Sequence, residues 1–383
     1  MRIRACLQPL VLLFAAAVSV AAPPRGVNPV QERADAFLNL VNAGYQSLYR
    51  VNSEAQWDAV TDVTPEHDAA SEAAGKAYAA FNGNPAIIQS AREFLAQKDA
   101  LDDITVRQLN QILLNAAEYP MTNPALVDAR VHAETQQSSI LNSFQFKLHG
   151  KPISANEIDD LLASSTDLSE RRSVWEASKE SGKALKDNLI KLRDLRNGAA
   201  GELGFPDYFG LQVAAYGMTT GEMVRMQDDF MRVLRPLYLQ LHTWTKYKLA
   251  EKYHQPVPRL IPAHWINNRW SQEWTGLVEA ANIDDTPCYY YSYAVATVLK
   301  FQLHDYIARN ILHQPPQACN YAGNREVGAW LKSILEKGGT EDWRRLLREK
   351  TGEDLSTRAM VEYFKPLESW LEDQNKGRQI GWD

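Results

Sequence analysis

The sequence lacks histidines at the spacing that helical metal sites need. Its eight histidines include no pair four residues apart, and none of them begins a His-Glu-x-x-His motif. That motif places two imidazoles on one helical face around a zinc ion. The closest His–carboxylate neighbours are His132 with Glu134 and His304 with Asp305, and residues this close along a helix do not face each other. We therefore interpret these histidines as solvated or as parts of the core.

Other signatures of catalysis are missing as well. The sequence has no Gly-x-Ser-x-Gly elbow, no phosphate-binding loop and no dinucleotide-binding glycine pattern. Adjacent acids, such as Asp102 with Asp103, point to different helix faces and are interpreted as helix starts or solvated faces. Of the three cysteines, Cys288 and Cys319 lie outside the N-terminal region. They either pair in an oxidising compartment or stay free and buried, and sequence separation does not decide between these alternatives.

Long apolar runs are absent after the N-terminal region. There, Met1–Arg4 is basic, Leu10–Val18 is apolar but too short to span a bilayer, and Ala21 and Ala22 are small residues suited to cleavage. These features predict a signal peptide over residues 1–22 and export to the periplasm or the extracellular space. Because no later apolar run approaches about 18 residues, we expect no transmembrane segment. The net charge of −6 disfavours nucleic acid and anionic membranes as partners.

The sequence does contain helical periodicity almost throughout. Apolar residues recur at spacings of three and four, and residues 222–253 continue this pattern across Pro236, which predicts one long helix with a kink at the proline. Ser154–Glu157 and Thr219–Glu222 have the sequence of capping boxes. Only residues 144–153 alternate like strands around a glycine turn. We predict an all-α, multi-helical fold with one small β-hairpin near 144–153.

Two segments combine aromatic and polar side chains. In residues 261–274, Gln272 lies among large apolar residues and asparagines on what we predict to be one helix. In residues 287–293, Tyr290 and Tyr293 stand three apart and therefore share a helix face. A tyrosine stripe is more often core packing than a functional site, so the residues alone leave both interpretations open.

These segments resemble the angiotensin-converting enzymes. The shared motifs keep a consistent order over roughly residues 30–383 and are Leu148–Ile153, Pro236–Leu239, Leu241–His242, Ile261–His264, Asn268–Trp274, Tyr290–His304, Tyr363–Leu371 and Gly381–Trp382. The resemblance implies a zincin-like, all-helical fold of two lobes around a deep groove, in a bacterial-type member of the family. It also implies the family's reaction, in which one zinc ion supports release of dipeptides from peptide C-termini.

The resemblance carries functional roles over to three residues. It makes Gln272 and Tyr290 substrate-binding residues for a peptide's C-terminal carboxylate, and Tyr293 the tyrosine that stabilises the tetrahedral intermediate. Ser292 stands where the chloride-dependent animal enzymes have arginine, so the sequence departs from the family at that anion site. The family's zinc ligands and general base lie in a middle segment that this sequence lacks, and the junction falls at about 281–287.

The predicted organisation is a signal peptide followed by two parts of one peptidyl-dipeptidase A-like domain, residues 30–282 and 286–383. We expect no cofactor in this chain, although the intact family uses zinc. Zinc lowers the pKa of bound water to about 7, and the remaining substrate-side groups cannot replace that effect.

We therefore predict a member of a hydrolase family that is itself inactive. Two alternatives stay open. One is a non-catalytic scaffold that binds short peptides with a free C-terminus, and the other is a deletion product without function. In either case, apolar helix faces that lost their partners favour self-association.

Overall fold

The computed structural model describes residues 28–267, 269 and 291–382, and most of these residues are helical. The α-helices are α1 Pro29–Thr61, α2 Pro65–Asn82, α3 Pro85–Leu95, α4 Asp103–Glu118, α5 Pro124–Asn142, α6 Ala155–Ser164, α7 Leu168–Ser178, α8 Ser181–Glu202, α9 Tyr208–Ala214, α10 Thr220–Lys252, α11 Tyr291–Tyr306, α12 Arg325–Leu335, α13 Trp343–Thr351 and α14 Arg358–Gln374. Two short strands, β1 Phe146–Leu148 and β2 Lys151–Ile153, pair antiparallel. The predicted all-α fold with one small hairpin is confirmed. Among the described residues, no helix is both long enough and apolar enough to cross a bilayer.

Both predicted capping boxes are present. At α6, Ser154 Oγ accepts from the Glu157 amide at 3.2 Å, and the Glu157 carboxylate accepts from the Ser154 amide at 2.8 Å. Thr219 and Glu222 make the same reciprocal pair at the start of α10, at 3.3 and 2.7 Å. Each box satisfies amides that the first turn of a helix leaves without partners. The long helix is confirmed as well, because α10 continues for 33 residues through Pro236.

The N-terminal helices pack around a core that α1, α3 and α4 build together. Its buried members are Leu38, Val41, Ala91, Leu109 and Ile112. Helix α1 also packs along α2, and α5 packs along α8. The hairpin covers the apolar faces of α6 and α7, where its strands meet Ile158, Leu162 and Val174.

Helix α10 connects the elements on the two sides of residues 270–290. Phe230 and Leu234 of α10 share one buried cluster with Val295 and Val298 of α11 and Met360 of α14. Among the described residues, the elements before residue 270 (the N-terminal flank) and those after residue 290 (the C-terminal flank) therefore share a hydrophobic core.

The segment after α14 returns to α10. Lys246 Nζ donates to the Gly381 carbonyl at 2.6 Å, and the Gly381 amide donates to Thr243 Oγ1 at 2.8 Å. The Trp382 ring packs edge-on against His242 with 4.9 Å between ring centroids. These contacts fix residues 381–382 along the second half of α10.

A buried acid joins α11 to α14. Asp305 is 4% exposed, and its carboxylate meets Arg309 at 2.6 Å and Arg358 at 3.0 Å. A buried charge needs partners that offset its lost hydration. The two guanidinium groups are those partners for the Asp305 carboxylate.

Candidate functional site

The structure describes one of the three residues to which the sequence assigned a role. Tyr293 lies in the first turn of α11 and is 52% exposed, whereas Val295 and Val298 of the same helix face the core. Its ring is therefore accessible to a ligand. Gln272 and Tyr290 lie outside the described residues, so their roles and that of Tyr293 stay predictions.

Aromatic packing fixes the beginning of α11. The Tyr291 ring meets Phe209 and Tyr216 edge-on, with centroid distances of 5.9 and 5.4 Å. Phe209 belongs to α9 and Tyr216 to the turn that follows it. These contacts hold the helix start, and with it Tyr293, against the N-terminal flank.

The predicted helix over 261–274 is wrong in its first half. Residues 261–267 form bends and one short 3-10 turn, Ala263–Trp265. The physical reason is a contact with Arg171 of α7, whose guanidinium donates hydrogen bonds to the carbonyls of both His264 and Ile266 at 2.8 Å. Residues two apart lie on opposite sides of an α-helix, so one guanidinium reaches both carbonyls only when the segment is not helical.

Arg171 is the most completely buried charged residue of this region, at 0% exposure. Its guanidinium donates four hydrogen bonds to main-chain carbonyls, those of Leu162 (2.6 Å), Ser165 (2.8 Å), His264 (2.8 Å) and Ile266 (2.8 Å). Burial lowers the pKa of Arg171, and nearby Tyr253 opposes this shift. The guanidinium carbon lies 5.3 Å from the centre of the Tyr253 ring, whose hydroxyl donates to the Trp265 carbonyl at 3.2 Å.

A second cation holds the same segment further along. Lys179, which follows α7, donates from Nζ to the Arg269 carbonyl at 2.5 Å. Burial and the nearby Arg269 charge lower the pKa of Lys179. Arg171 and Lys179 thus fix the main chain immediately before the segment that contains Gln272.

Arg171 was not among the residues predicted to be functional, although its position in the sequence carries a signal. Arg171 stands three residues before Val174 and six before Ala177, and all three are buried on one side of α7. An arginine in the apolar stripe of a helix indicates a buried guanidinium that needs several acceptors.

Three of the eight histidines have a backbone role. His149, His254 and His313 adopt left-handed φ values of 51°, 52° and 52°. Histidine is one of the few residues other than glycine that is enriched in this conformation. His149 lies in the hairpin turn, and His254 and His313 follow the ends of helices.

Three of the other five histidines contact side chains or main-chain carbonyls. His132 Nδ1 lies 2.8 Å from the Glu72 carboxylate, and His304 Nε2 donates to the Pro316 carbonyl at 2.7 Å. His242 is buried beside Trp382, and burial, followed by the charge of Lys246, lowers its pKa.

The histidines present do not fit a zinc centre. All eight lie within the described residues, and there no group of three or more His, Cys, Asp or Glu side chains is arranged to hold a metal ion. Cys319 Sγ lies 3.7 Å from His304 Nε2, but that nitrogen already bonds to a carbonyl and burial raises the thiol's pKa. A raised thiol pKa is the opposite of the lowered pKa that activates a nucleophilic cysteine. Cys288 lies outside the described residues, so its pairing with Cys319 stays open.

Comparison with known proteins gives a match along nearly the whole chain. The family described as angiotensin-converting enzyme matches residues 28–289 and 281–382. The angiotensin-converting enzymes of mouse and cattle are 37% and 35% identical over 97 residues, which are 24% of this chain and 7% of each relative. The mouse angiotensin-converting enzyme-like protein Ace3 is 36% identical over 97 residues, which are 13% of its length. The aligned segment thus spans less than a seventh of each of these relatives.

Proposed function

Because this chain belongs to the angiotensin-converting enzyme family, we propose that it descends from a bacterial zinc peptidyl-dipeptidase and has lost that reaction. The observation that carries the proposal is the form of the match. The two matched stretches, 28–289 and 281–382, overlap at 281–289, where the sequence places the junction. An internal deletion produces such a pair of adjoining matches, which supports loss of a middle segment.

The chemistry of the retained residues agrees with this proposal. Peptide hydrolysis in the family depends on zinc ligands and a general base that the sequence no longer contains. Tyr293 offers a hydroxyl to a developing oxyanion, and such a donor contributes only when a nucleophile attacks. We therefore propose that Tyr293 keeps its position without supporting turnover.

Zinc content and turnover test the proposal together. The purified chain is dialysed against a buffer that contains zinc, and its bound metal is then measured. Release of a C-terminal dipeptide from the blocked tripeptide acetyl-Ala-Ala-Phe is followed with and without a chelator. We expect less than stoichiometric zinc and no release above the buffer rate. One zinc per chain together with chelator-sensitive release would refute the proposal.

A second candidate function is a scaffold that binds peptides without cleaving them. It is favoured by the exposure of Tyr293 and by the two cations that fix the main chain before Gln272. In this proposal Gln272 and Tyr290 bind the C-terminal carboxylate of a short peptide. Calorimetric titration should then show tighter binding of a free acid than of its amide, and Gln272→Ala should remove that preference. Equal affinity for acid and amide would exclude this candidate.

We also propose that the chain is exported after removal of residues 1–22. The intact mass of the protein isolated from its natural source tests this proposal and the deletion at once. A mass that corresponds to a chain starting at residue 22 or 23, with no additional segment, is the expected result. A mass that retains the N-terminal residues would contradict export, and a substantially larger mass would identify the deletion as an error in the sequence.

A further inference from the structure

A groove runs along α4, where the loop before α9 and the loop before α13 approach that helix. Its volume is about 800 Å³, within the range of sites that enclose small ligands, about 300 to 1,000 Å³. Helix α4 lines it from Ile104 to Leu114, and ten residues of an α-helix span about 15 Å. The lining includes neither Tyr293 nor residues 261–267. The groove is therefore elongated and distinct from the site proposed above.

One end of the groove is cationic. Arg92 in the last turn of α3 and Arg107 in the second turn of α4 both line it and are exposed. Neither makes an ion pair within the part of the chain that the structure describes. Asp342 also lines the groove, but its carboxylate is 2.9 Å from Arg344 and is thereby neutralised. This end therefore attracts an anionic group.

Main-chain contacts hold Arg107 in place. Its Nε donates to the Gly339 carbonyl at 3.0 Å and its Nη2 to the Glu341 carbonyl at 2.7 Å. These bonds orient the guanidinium without neutralising it, and the Glu341 carboxylate is itself paired with Lys337 at 3.0 Å. Among the described residues, Nη1 of Arg107 has no hydrogen-bond partner. A guanidinium fixed in this way loses little side-chain entropy when it binds a carboxylate.

The other end of the groove is apolar. Half-buried side chains form its walls, and they are Leu113, Leu114, Leu203 and Phe205. Leu114 stands seven residues after Arg107, which is about 10 Å along the helix. Trp343 and Tyr216 add aromatic rings to the lining, and the Trp343 indole already donates to the Tyr216 carbonyl at 3.3 Å. A cationic end and an apolar end at this separation match a ligand with an anionic head and a hydrocarbon chain.

The carboxamides that line the groove do not call for a ligand with hydrogen-bonding groups along its length. Gln108, Asn110 and Gln111 of α4 each have a partner within the protein at 2.9 to 3.0 Å. A peptide main chain would break these bonds or bury its own N–H and C=O groups unpaired, and either costs free energy. A hydrocarbon chain brings no such groups. Asn110 and Gln111 are exposed, so their remaining polar atoms stay hydrated beside it.

We propose that this groove binds a medium-chain fatty acid. The carboxylate pairs with Arg107 and Arg92, and the chain lies along α4 towards Leu203 and Phe205. The ligand is a dissolved monomer, because a groove of about 800 Å³ encloses a single chain and not a bilayer surface. This site goes beyond the function proposed above and does not depend on it. It is equally independent of the chain's having lost its peptidase activity.

Calorimetric titration of the purified chain tests the proposal. The probes are decanoate, octanoate and decyltrimethylammonium, each kept below the concentration at which it forms micelles. We expect one decanoate per chain. Each buried methylene raises affinity about fourfold, so decanoate should bind about tenfold more tightly than octanoate. Decyltrimethylammonium has the same chain with a positive head that two arginines repel, and it should bind about tenfold more weakly than decanoate.

Variants locate the two ends of the ligand. Arg107→Gln and Arg92→Gln should each weaken binding of decanoate about two- to fivefold, the range for an exposed ion pair, without weakening binding of decyltrimethylammonium. Phe205→Ala should reduce the advantage of decanoate over octanoate, which the loss of a charge does not change. Arg325→Gln changes an exposed arginine at the start of α12 and should alter no affinity. Arg92→Gln removes no main-chain contact of the kind that Arg107 makes, so it tests the charge even if Arg107→Gln unfolds the loop.

Four results would overturn the proposal. One is that decanoate does not bind, or binds no better than decyltrimethylammonium. Another is binding of several decanoate molecules that no groove variant changes, because that identifies general adsorption of a surfactant. The third is tighter binding of acetyl-Ala-Ala-Phe than of decanoate with the same dependence on Arg107, which would assign the groove to peptides. The fourth is sedimentation with phosphatidylglycerol vesicles without binding of monomeric decanoate, which would assign it to a membrane surface.

Discussion

Replacement of Arg171 by methionine tests how the segment before Gln272 is held. Methionine keeps most of the side chain's apolar volume but leaves four buried carbonyls without their donor. A hydrogen bond to a charged group contributes about 1.5 to 3 kcal/mol. The four bonds share one guanidinium, whose burial is itself costly, so their contributions do not add. We expect Arg171→Met to reduce the free energy of unfolding by about 3 to 5 kcal/mol, the range for loss of one partner from a buried charged contact.

Urea unfolding followed by circular dichroism measures this difference. Arg172→Met is the matched control, because Arg172 is the next residue, its side chain is 68% exposed, and it pairs with Glu176 at 2.8 Å on the surface. We expect that control to change the free energy of unfolding by less than about 0.5 kcal/mol. Arg171→Lys keeps the charge but reaches fewer carbonyls, and its stability should lie between that of the wild type and Arg171→Met. Losses for Arg171→Met and Arg172→Met that agree within about 1 kcal/mol would refute the reasoning.

Three further predictions follow from other contacts. Asp305→Asn should destabilise the chain by about 2 to 3 kcal/mol, because it removes the charge that Arg309 and Arg358 share; a thermal melt that matches the wild type would contradict this. Thr219→Ala should cost about 1 kcal/mol through loss of the α10 capping box, as measured by urea unfolding. A hydrogen bond from Arg344 lowers the pKa of Asp342 to about 2. The ionised Asp342 therefore contributes to stability above the pKa of about 3.9 that an aspartate has in the unfolded chain, and this contribution disappears as the pH falls to about 2. The melting temperatures of wild type and Asp342→Asn should therefore differ at pH 6 and converge near pH 2, and a difference that persists there would contradict the assignment.

The parts of the fold that were predictable from the sequence depend on neighbouring residues. Ser154 and Thr219 begin helices because each bonds to an acid three residues later, and both partners are visible in one short window. The hairpin near 144–153 is equally local, since its turn and its paired strands lie within ten residues. The long α10 helix followed from periodicity alone. In each case the stabilising contact and the sequence signal are the same residues.

The structure of 261–267 could not be predicted in this way. Its apolar pattern suits a helix, but its carbonyls bind Arg171, which stands 93 residues earlier than His264. No local window contains both partners, so tertiary structure overrides the periodicity. The roles of Gln272, Tyr290 and Tyr293 came from family resemblance, because the chemistry of a site depends on distances that sequence spacing does not fix.

The return of residues 381–382 to α10 has a kinetic consequence. Lys246 and Gly381 are separated by 135 residues, so their bond forms only after a large loop has closed. The entropy lost in that closure grows with the logarithm of loop length, and contacts so distant in sequence slow the folding of a protein even when it is mostly helical. Refolding should therefore begin with the local helix pairs of the N-terminal flank and end with the docking of Gly381 and Trp382. Until that last step, Lys246 and the Trp382 ring remain in water, and α10 spends longer than its neighbours as an incompletely covered helix.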